Sequence, residues 1–181
     1  MRVIAGKVKG KRLESPKGLD IRPTSDRVRE ALFSILAPRI EGARFLDLFA
    51  GTGANGIEAL SRGAAWSTFV DSQARALAVV ARNLETTGLA GVADRLRLDL
   101  PKDLPLLSQR AAPYEVIFAD PPYAFSEYGP LLDALQHTCL LARGGVLVVE
   151  HDRRVSVRTK SSALTCSRES SYGDTVLSFF S

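Results

Sequence analysis

The run Arg44-Phe-Leu-Asp-Leu-Phe49 passes directly into Ala50-Gly51-Thr-Gly53-Ala-Asn-Gly56. An apolar stretch that turns into a helix within so few residues needs glycine wherever the backbone takes a positive φ. Folds that repeat this event are parallel sheets crossed by helices. The repeat is present: residues 44–49, 66–70, 95–98, 114–119 and 145–149 read as strands, and 54–62, 73–87 and 128–141 as helices between them. The expectation is an α/β fold, a Rossmann-like, doubly wound, mostly parallel sheet.

Both ends depart from the rhythm. Segments 163–170 and 175–180 flank Tyr172-Gly-Asp174, which predicts a C-terminal antiparallel hairpin on the sheet. Residues 1–15 read as a short β-hairpin with its turn near Lys9-Gly10, and Pro16, Gly18 and Pro23 then interrupt the chain. Thr24 or Ser25 can cap a helix in which Val28, Leu32, Ile35 and Leu36 recur at helical spacing, stopping before Pro38. The 181 residues suit one domain, a basic extension over 1–23 and a core over 24–181.

Charge is unevenly placed. Residues 1–44 hold eleven Lys and Arg against five Asp and Glu, whereas the remainder holds thirteen against fifteen. Arg2, Lys7, Lys9, Lys11 and Arg12 all precede the first acid, Glu14. Such a cluster attracts a phosphate backbone without reading its sequence, although a short basic stretch also serves as a solvated face. Two cysteines and two histidines, without an HExxH, supply no disulfide framework and no metal motif. With no apolar run of membrane-spanning length, the expectation is a cytoplasmic, metal-free monomer.

The glycines of the first loop fit GxGxxG, and Asp71 lies twenty residues beyond Gly51, so a dinucleotide would also suit the bare pattern. Asp47 separates the two readings. A carboxylate there opposes a pyrophosphate and complements the sulfonium and ammonium of S-adenosylmethionine. Asp71 can accept from ribose hydroxyls, and Asp99 from an adenine amine. Tight-turn packing, helix capping and a plain loop acid are the structural readings of the same residues.

Asp120-Pro121-Pro122-Tyr123 closes the fourth predicted strand. Two prolines fix two φ angles and remove two amide donors, leaving a stiff segment with a free carbonyl. Asp120 and the Pro121 carbonyl can then accept both N–H bonds of an exocyclic amine while Tyr123 stacks on its base. Two acceptors orient the nitrogen lone pair toward an electrophilic methyl and stabilise the charge that develops on nitrogen. A merely proline-stiffened loop is the plainer alternative.

These motifs resemble those of N-methyltransferases. More narrowly, Arg22-Pro-Thr-Ser-Asp-Arg-Val-Arg-Glu-Ala-Leu-Phe33 and Gly56-Ile-Glu-Ala-Leu-Ser-Arg-Gly-Ala64, with Arg2-Val-Ile-Ala-Gly and Tyr172-Gly-Asp-Thr, resemble the RsmD family. That resemblance implies a class I methyltransferase fold and methylation of N2 of the guanine conventionally numbered 966 in 16S ribosomal RNA. The substrate would be the RNA or an assembling small subunit. It also implies that 120–123 clamp the amine, that Asp47, Phe49, Gly51, Gly53, Asp71 and Asp99 form the cofactor shell, and that Thr24 and Arg27 sit near the cofactor's methionine end. The hairpin would grip RNA, joined by Arg22 and Arg29. This chain differs from the family pattern at Asn55, where an apolar residue is expected, and at Asp71-Ser-Gln, where an acidic pair is expected. A DNA adenine-N6 methyltransferase, a nicotinamide-dependent dehydrogenase and a non-catalytic RNA-binding module are the alternatives.

Overall fold

A computed structural model describes residues 1–15, 26–109, 113–158 and 164–181. Helix α1 (Asp26–Ile40) leads into β1 (Arg44–Leu48), α2 (Ala54–Ser61), β2 (Trp66–Asp71), α3 (Ala74–Thr87) and β3 (Ala93–Arg97). Then come α4 (Leu104–Ser108), β4 (Tyr114–Ala119), α5 (Tyr128–Gln136), β5 (Leu141–Asp152), β6 (Cys166–Tyr172) and β7 (Thr175–Phe180). The sheet runs β3-β2-β1-β4-β5-β7-β6. The five strands from β3 to β5 are parallel, and β7 enters antiparallel between β5 and β6.

Strand alternation explains the two layers. Phe45, Phe69, Val116 and Phe118 point to one face, where Leu32 and Phe33 of α1, Ile57 of α2 and Val80 of α3 cover them. Leu46, Leu48, Val70 and Ile117 point to the other, under Leu104 and Leu107 of α4 and Leu131, Leu132 and Leu135 of α5. Sheets sandwiched in this way carry near-continuous apolar strands, as β4 does. The chain leaves β1 toward β3 and then crosses back to β4. That reversal opens a crevice at the carboxyl ends of β1 and β4, where open α/β sheets place their ligands.

Several boundaries differ from expectation. α1 continues through Pro38 to Ile40, because a proline in the last turn forfeits only one bond on the exposed side while buried Ile40 holds the end in the core. α5 stops at Gln136, and β5 starts at Leu141, several residues before the predicted 145. α4 was not foreseen, since five residues are too few to show a helical period. The C-terminal hairpin is present as β6 and β7, with β7 inside the sheet and β6 as its edge. Thr24 and Ser25, the expected cap, lie outside the described residues, as does residue 163.

The N-terminal segment forms the expected short hairpin: Arg2 bridges Arg12 antiparallel, Val3 N–H donates to the Lys11 carbonyl (3.0 Å), Gly10 N–H to the Val3 carbonyl (2.9 Å) and Leu13 N–H to the Met1 carbonyl (3.1 Å). Other amides of the segment bond to α2. Ile4 and Ala5 N–H donate to the two carboxylate oxygens of Glu58 (2.8 and 3.0 Å), and Lys7 N–H to the Ser61 carbonyl (2.7 Å). Gly6, at φ 85°, lies so close to α2 that a Cβ would fall 1.9 Å from the Ser61 carbonyl oxygen. The segment is therefore a short hairpin bolted onto α2 rather than a free-standing arm.

Candidate active site

A cavity of about 440 Å³ occupies the crevice. On one bank stand Phe49, Ala50, Gly51 and Thr52 of the first loop, with Asp71 and Asp99; on the other stand Asp120, Pro121, Pro122 and Tyr123. The two motifs, distant in sequence, thus face one space. Parallel register brings them together: Leu48 lies beside Ala119, so the residues that follow β1 and β4 leave the sheet side by side.

The glycine bank is held by side chains bonded to backbone. Gly51 N–H donates to Asp71 Oδ2 (3.0 Å), and Gln73 N–H to Asp71 Oδ1 (2.8 Å). Asn83 Nδ2 donates to the Thr52 carbonyl (2.9 Å), while its Oδ1 accepts from Glu14 N–H (2.7 Å). Phe49 adopts φ 61°, a left-handed conformation that costs a side-chain-bearing residue on the order of 1–3 kcal/mol. In return its ring meets Phe125 at 5.2 Å, Phe125 meets Tyr128 at 5.1 Å, and Tyr128 meets His151 at 6.3 Å. An aromatic wall therefore joins the two banks.

Three expected positions need correction. Asp47 does not line the cavity. It is fully buried, accepts from Gly56 N–H (2.9 Å), and burial pushes its carboxyl well above the usual carboxylate range, with Asp120 and Asp71 adding to the rise. It stiffens the loop from behind, outside the cavity lining. Gly53 likewise stands behind the surface, at φ 77° as the N-cap of α2, where a Cβ would press on Val80 and Phe69 at 3.1 and 3.2 Å. Arg29, expected among the surface cations, is 1% exposed; its Nη2 donates to the Arg2 carbonyl (2.7 Å) and to Asp26 (2.9 Å). It lies on the same face of α1 as Leu32, Phe33 and Leu36, which turns it inward.

Arg27 is exposed and does not line the cavity, and Thr24 and Arg22 lie outside the described residues. Arg2, Lys7, Lys9, Lys11 and Arg12 are all exposed on the loop clamped to α2. Tyr123 is 67% exposed at the mouth, and Asp99 stands on the opposite bank.

Sequence reasoning missed Phe125, Glu127, Tyr128, Glu150, His151, Asp152 and Asp174, all of which line the cavity. Phe125 and Tyr128 had a signal: three aromatic residues within six positions of Tyr123, in a chain only 7% aromatic. Glu150 to Asp152 had none, because they reach the site only through the length of β5. Burial pushes the Tyr128 hydroxyl up to about 12, with Asp120, Asp152 and Glu150 contributing, so it stays protonated amid carboxylates. Among the described residues no group of His, Cys, Asp and Glu is arranged to hold a metal ion, and no helix is long and apolar enough to cross a membrane.

The sequence matches the family described as "Conserved hypothetical protein 95" over residues 1–181. It is 38% identical over 180 residues to "Putative rRNA methyltransferase YlbH" of Bacillus subtilis, covering 99% of this chain and 98% of that one. It is 36% identical over 152 residues to ribosomal RNA small subunit methyltransferase D of Escherichia coli, covering 84% and 75%. Among solved structures, "Putative methyltransferase yhhF" from Escherichia coli superposes with a TM-score of 0.84 at 33% identity, covering 99% of this chain and 96% of that chain.

Proposed function

We propose that this chain, which belongs to the RsmD family and has its class I methyltransferase fold, transfers a methyl group from S-adenosylmethionine to N2 of a guanine in 16S ribosomal RNA, the guanine conventionally numbered 966. One observation carries the reading: Asp120-Pro-Pro-Tyr123 opens into the same cavity as Gly51 and Asp71.

The cavity fits the cofactor. Its volume falls within the range of small-molecule sites, and its wall combines Phe49, Leu98 and Leu100 for a flat base with Asp71 and Asp99 for hydroxyls and an amine. When bound there, the cofactor supplies an electrophilic methyl on a positively charged sulfur. Asp120, Asp152 and Glu150 surround that space with negative potential suited to a cation.

Asp120 and the Pro121 carbonyl accept the two N–H bonds of the target amine, and Tyr123 stacks on the base. Orientation supplies most of the rate enhancement, and the carboxylate stabilises the charge that builds on nitrogen. The methylated amine is acidic enough to shed its proton without a strong base. Tyr128 keeps its hydroxyl proton beside Asp120 and so adds a donor rather than a second charge. The clamped N-terminal loop presents Arg2, Lys7, Lys9, Lys11 and Arg12 to the RNA backbone, which places an unpaired or flipped base over the mouth.

The test is mass spectrometry of nuclease-digested 16S RNA from cells with and without this protein, together with methyl transfer by the purified protein. N2-methylguanosine at one position should appear only with the protein. Transfer to no small-subunit RNA or particle overturns the reading.

A further inference from the structure

Three bases of RNA carry an exocyclic amine, and the ring nitrogens beside it tell them apart. Adenine and cytosine set only a bare ring nitrogen, an acceptor, next to the amine-bearing carbon. Guanine also sets N1–H there, a donor. A carboxylate and a carbonyl at Asp120 and Pro121 hold the amine alike in all three, so the clamp by itself does not select guanine. An acceptor placed at N1 does, because N1–H buried without one keeps its full desolvation cost.

Strand register puts a carboxylate at that place. Ala119 pairs with Val149 across β4 and β5, so Asp120 and Glu150 follow side by side, about 4.8 Å apart, one strand spacing. Their faces agree as well. Phe118 and Val148, two residues earlier, belong to one core layer, as does Leu177, the residue opposite Glu150 on β7. His151 turns to the other face, where its Nε2 lies 2.8 Å from Ser178 Oγ. Glu150 is 8% exposed and lines the cavity with Asp120. The Tyr128 hydroxyl, pushed up first by burial and then by Asp120, Asp152 and Glu150, lies in the field of both carboxyls.

The other carboxylates around the cavity are placed differently. Asp152 stands one pleat further out, with its two oxygens on Arg154 (2.8 and 2.9 Å). Glu127 and Asp174 are exposed, and neither follows a strand beside Asp120.

We propose that Glu150 accepts N1–H of the target base while Asp120 and the Pro121 carbonyl accept from its amine, and that this third acceptor restricts transfer to guanine. The proposal deepens the function proposed above and rests on it. An adenine or cytosine with its amine in the clamp brings a ring-nitrogen lone pair against the Glu150 carboxylate, two acceptors with no proton between them. In a site closed to water nothing offsets that contact, so the wrong base is repelled as well as less well held. Glu150 touches the base and takes no part in the displacement.

Methyl transfer to two bases tests this. Small-subunit particles are reconstituted with 16S RNA carrying guanine or 2-aminopurine at the methylated position; 2-aminopurine keeps the amine but has a bare N1. At saturating S-adenosylmethionine the wild-type protein should favour guanine by at least about a hundredfold in kcat/KM, since a site built for a donor rejects the analogue lacking it. Glu150→Gln, whose amide can donate to a bare N1, should shrink that ratio at least about tenfold, through loss on guanine and not on 2-aminopurine. Equal use of the two bases by wild type, or an unchanged ratio in the variant, overturns the proposal. A variant inactive on both bases that still binds S-adenosylmethionine overturns it too. If the variant binds no cofactor, Glu150→Asp replaces it: the shorter arm withdraws the oxygen, so the ratio should fall likewise, and equal losses on both bases overturn the proposal. Wild-type protein that methylates neither base refutes the proposed function itself and removes this assignment with it.

Discussion

The two banks of the cavity are built differently. On the glycine bank, Asp71 and Asn83 bond backbone at Gly51, Gln73 and Thr52, and Asp47 secures Gly56 from behind. On the opposite bank, Pro121 and Pro122 stiffen the chain covalently, and Tyr123 stands mostly in solvent. One side is assembled before any ligand arrives. The other exposes its working groups toward a partner too large to be enclosed. A small cofactor rewards preorganisation, whereas a nucleotide presented by a folded RNA needs a rigid but open ledge.

That contrast can be broken at four places. Asp120→Ala should lower turnover by at least about a hundredfold, within the usual effect of deleting one group that stabilises transition-state charge, while S-adenosylmethionine affinity changes little. Single-turnover kinetics beside calorimetry separates the two, and parallel losses would merge the banks into one function. Asp71→Ala should do the reverse. Losing an acceptor that also braces Gly51 and Gln73 should weaken the cofactor by about ten- to a hundredfold, with a smaller change in the rate at saturation.

Tyr123→Ala should cost about tenfold in kcat/KM for RNA, the lower end of base stacking, and Tyr123→Phe should restore it. Because the ring is exposed, the melting temperature should not move, and a drop would make it a packing residue. The smallest effect is on Asp47. Its folded carboxyl holds a proton to higher pH than the unfolded one, so its contribution to stability is full below the unfolded value and declines as pH rises through the folded one. Asp47→Asn keeps an acceptor for Gly56 and removes the titration. The variant should gain stability over wild type as pH rises above the ordinary carboxylate range. Parallel unfolding curves across that range would sink the assignment of a buried acid whose carboxyl is held above its usual range.

The parts of both banks that stand at strand ends were legible in sequence, for a physical reason. Gly51, Asp71 and the four residues of 120–123 sit at the ends of strands whose apolar runs announce themselves, so their convergence follows from topology. Asp47 was placed in the right loop but given the wrong task, because spacing does not report whether a carboxyl faces a ligand or a backbone amide. Arg29 misled in the same way: a charge next to Asp26 and Glu30 looks solvated until the helix phase turns it under the N-terminal loop. Glu150 and His151 were illegible, since they reach the site only through the length of β5, and Asp174 was read as a turn residue with no sign that its turn faces the cavity.

Gly6 sits with its α-carbon against the Ser61 carbonyl, and no other residue has the room. The five cations around it are thus carried by a plate riveted to the helix that begins in the first glycine loop. Even a methyl group at position 6 would lift that plate, moving the exposed cations and the Met1 side of the cavity in one stroke.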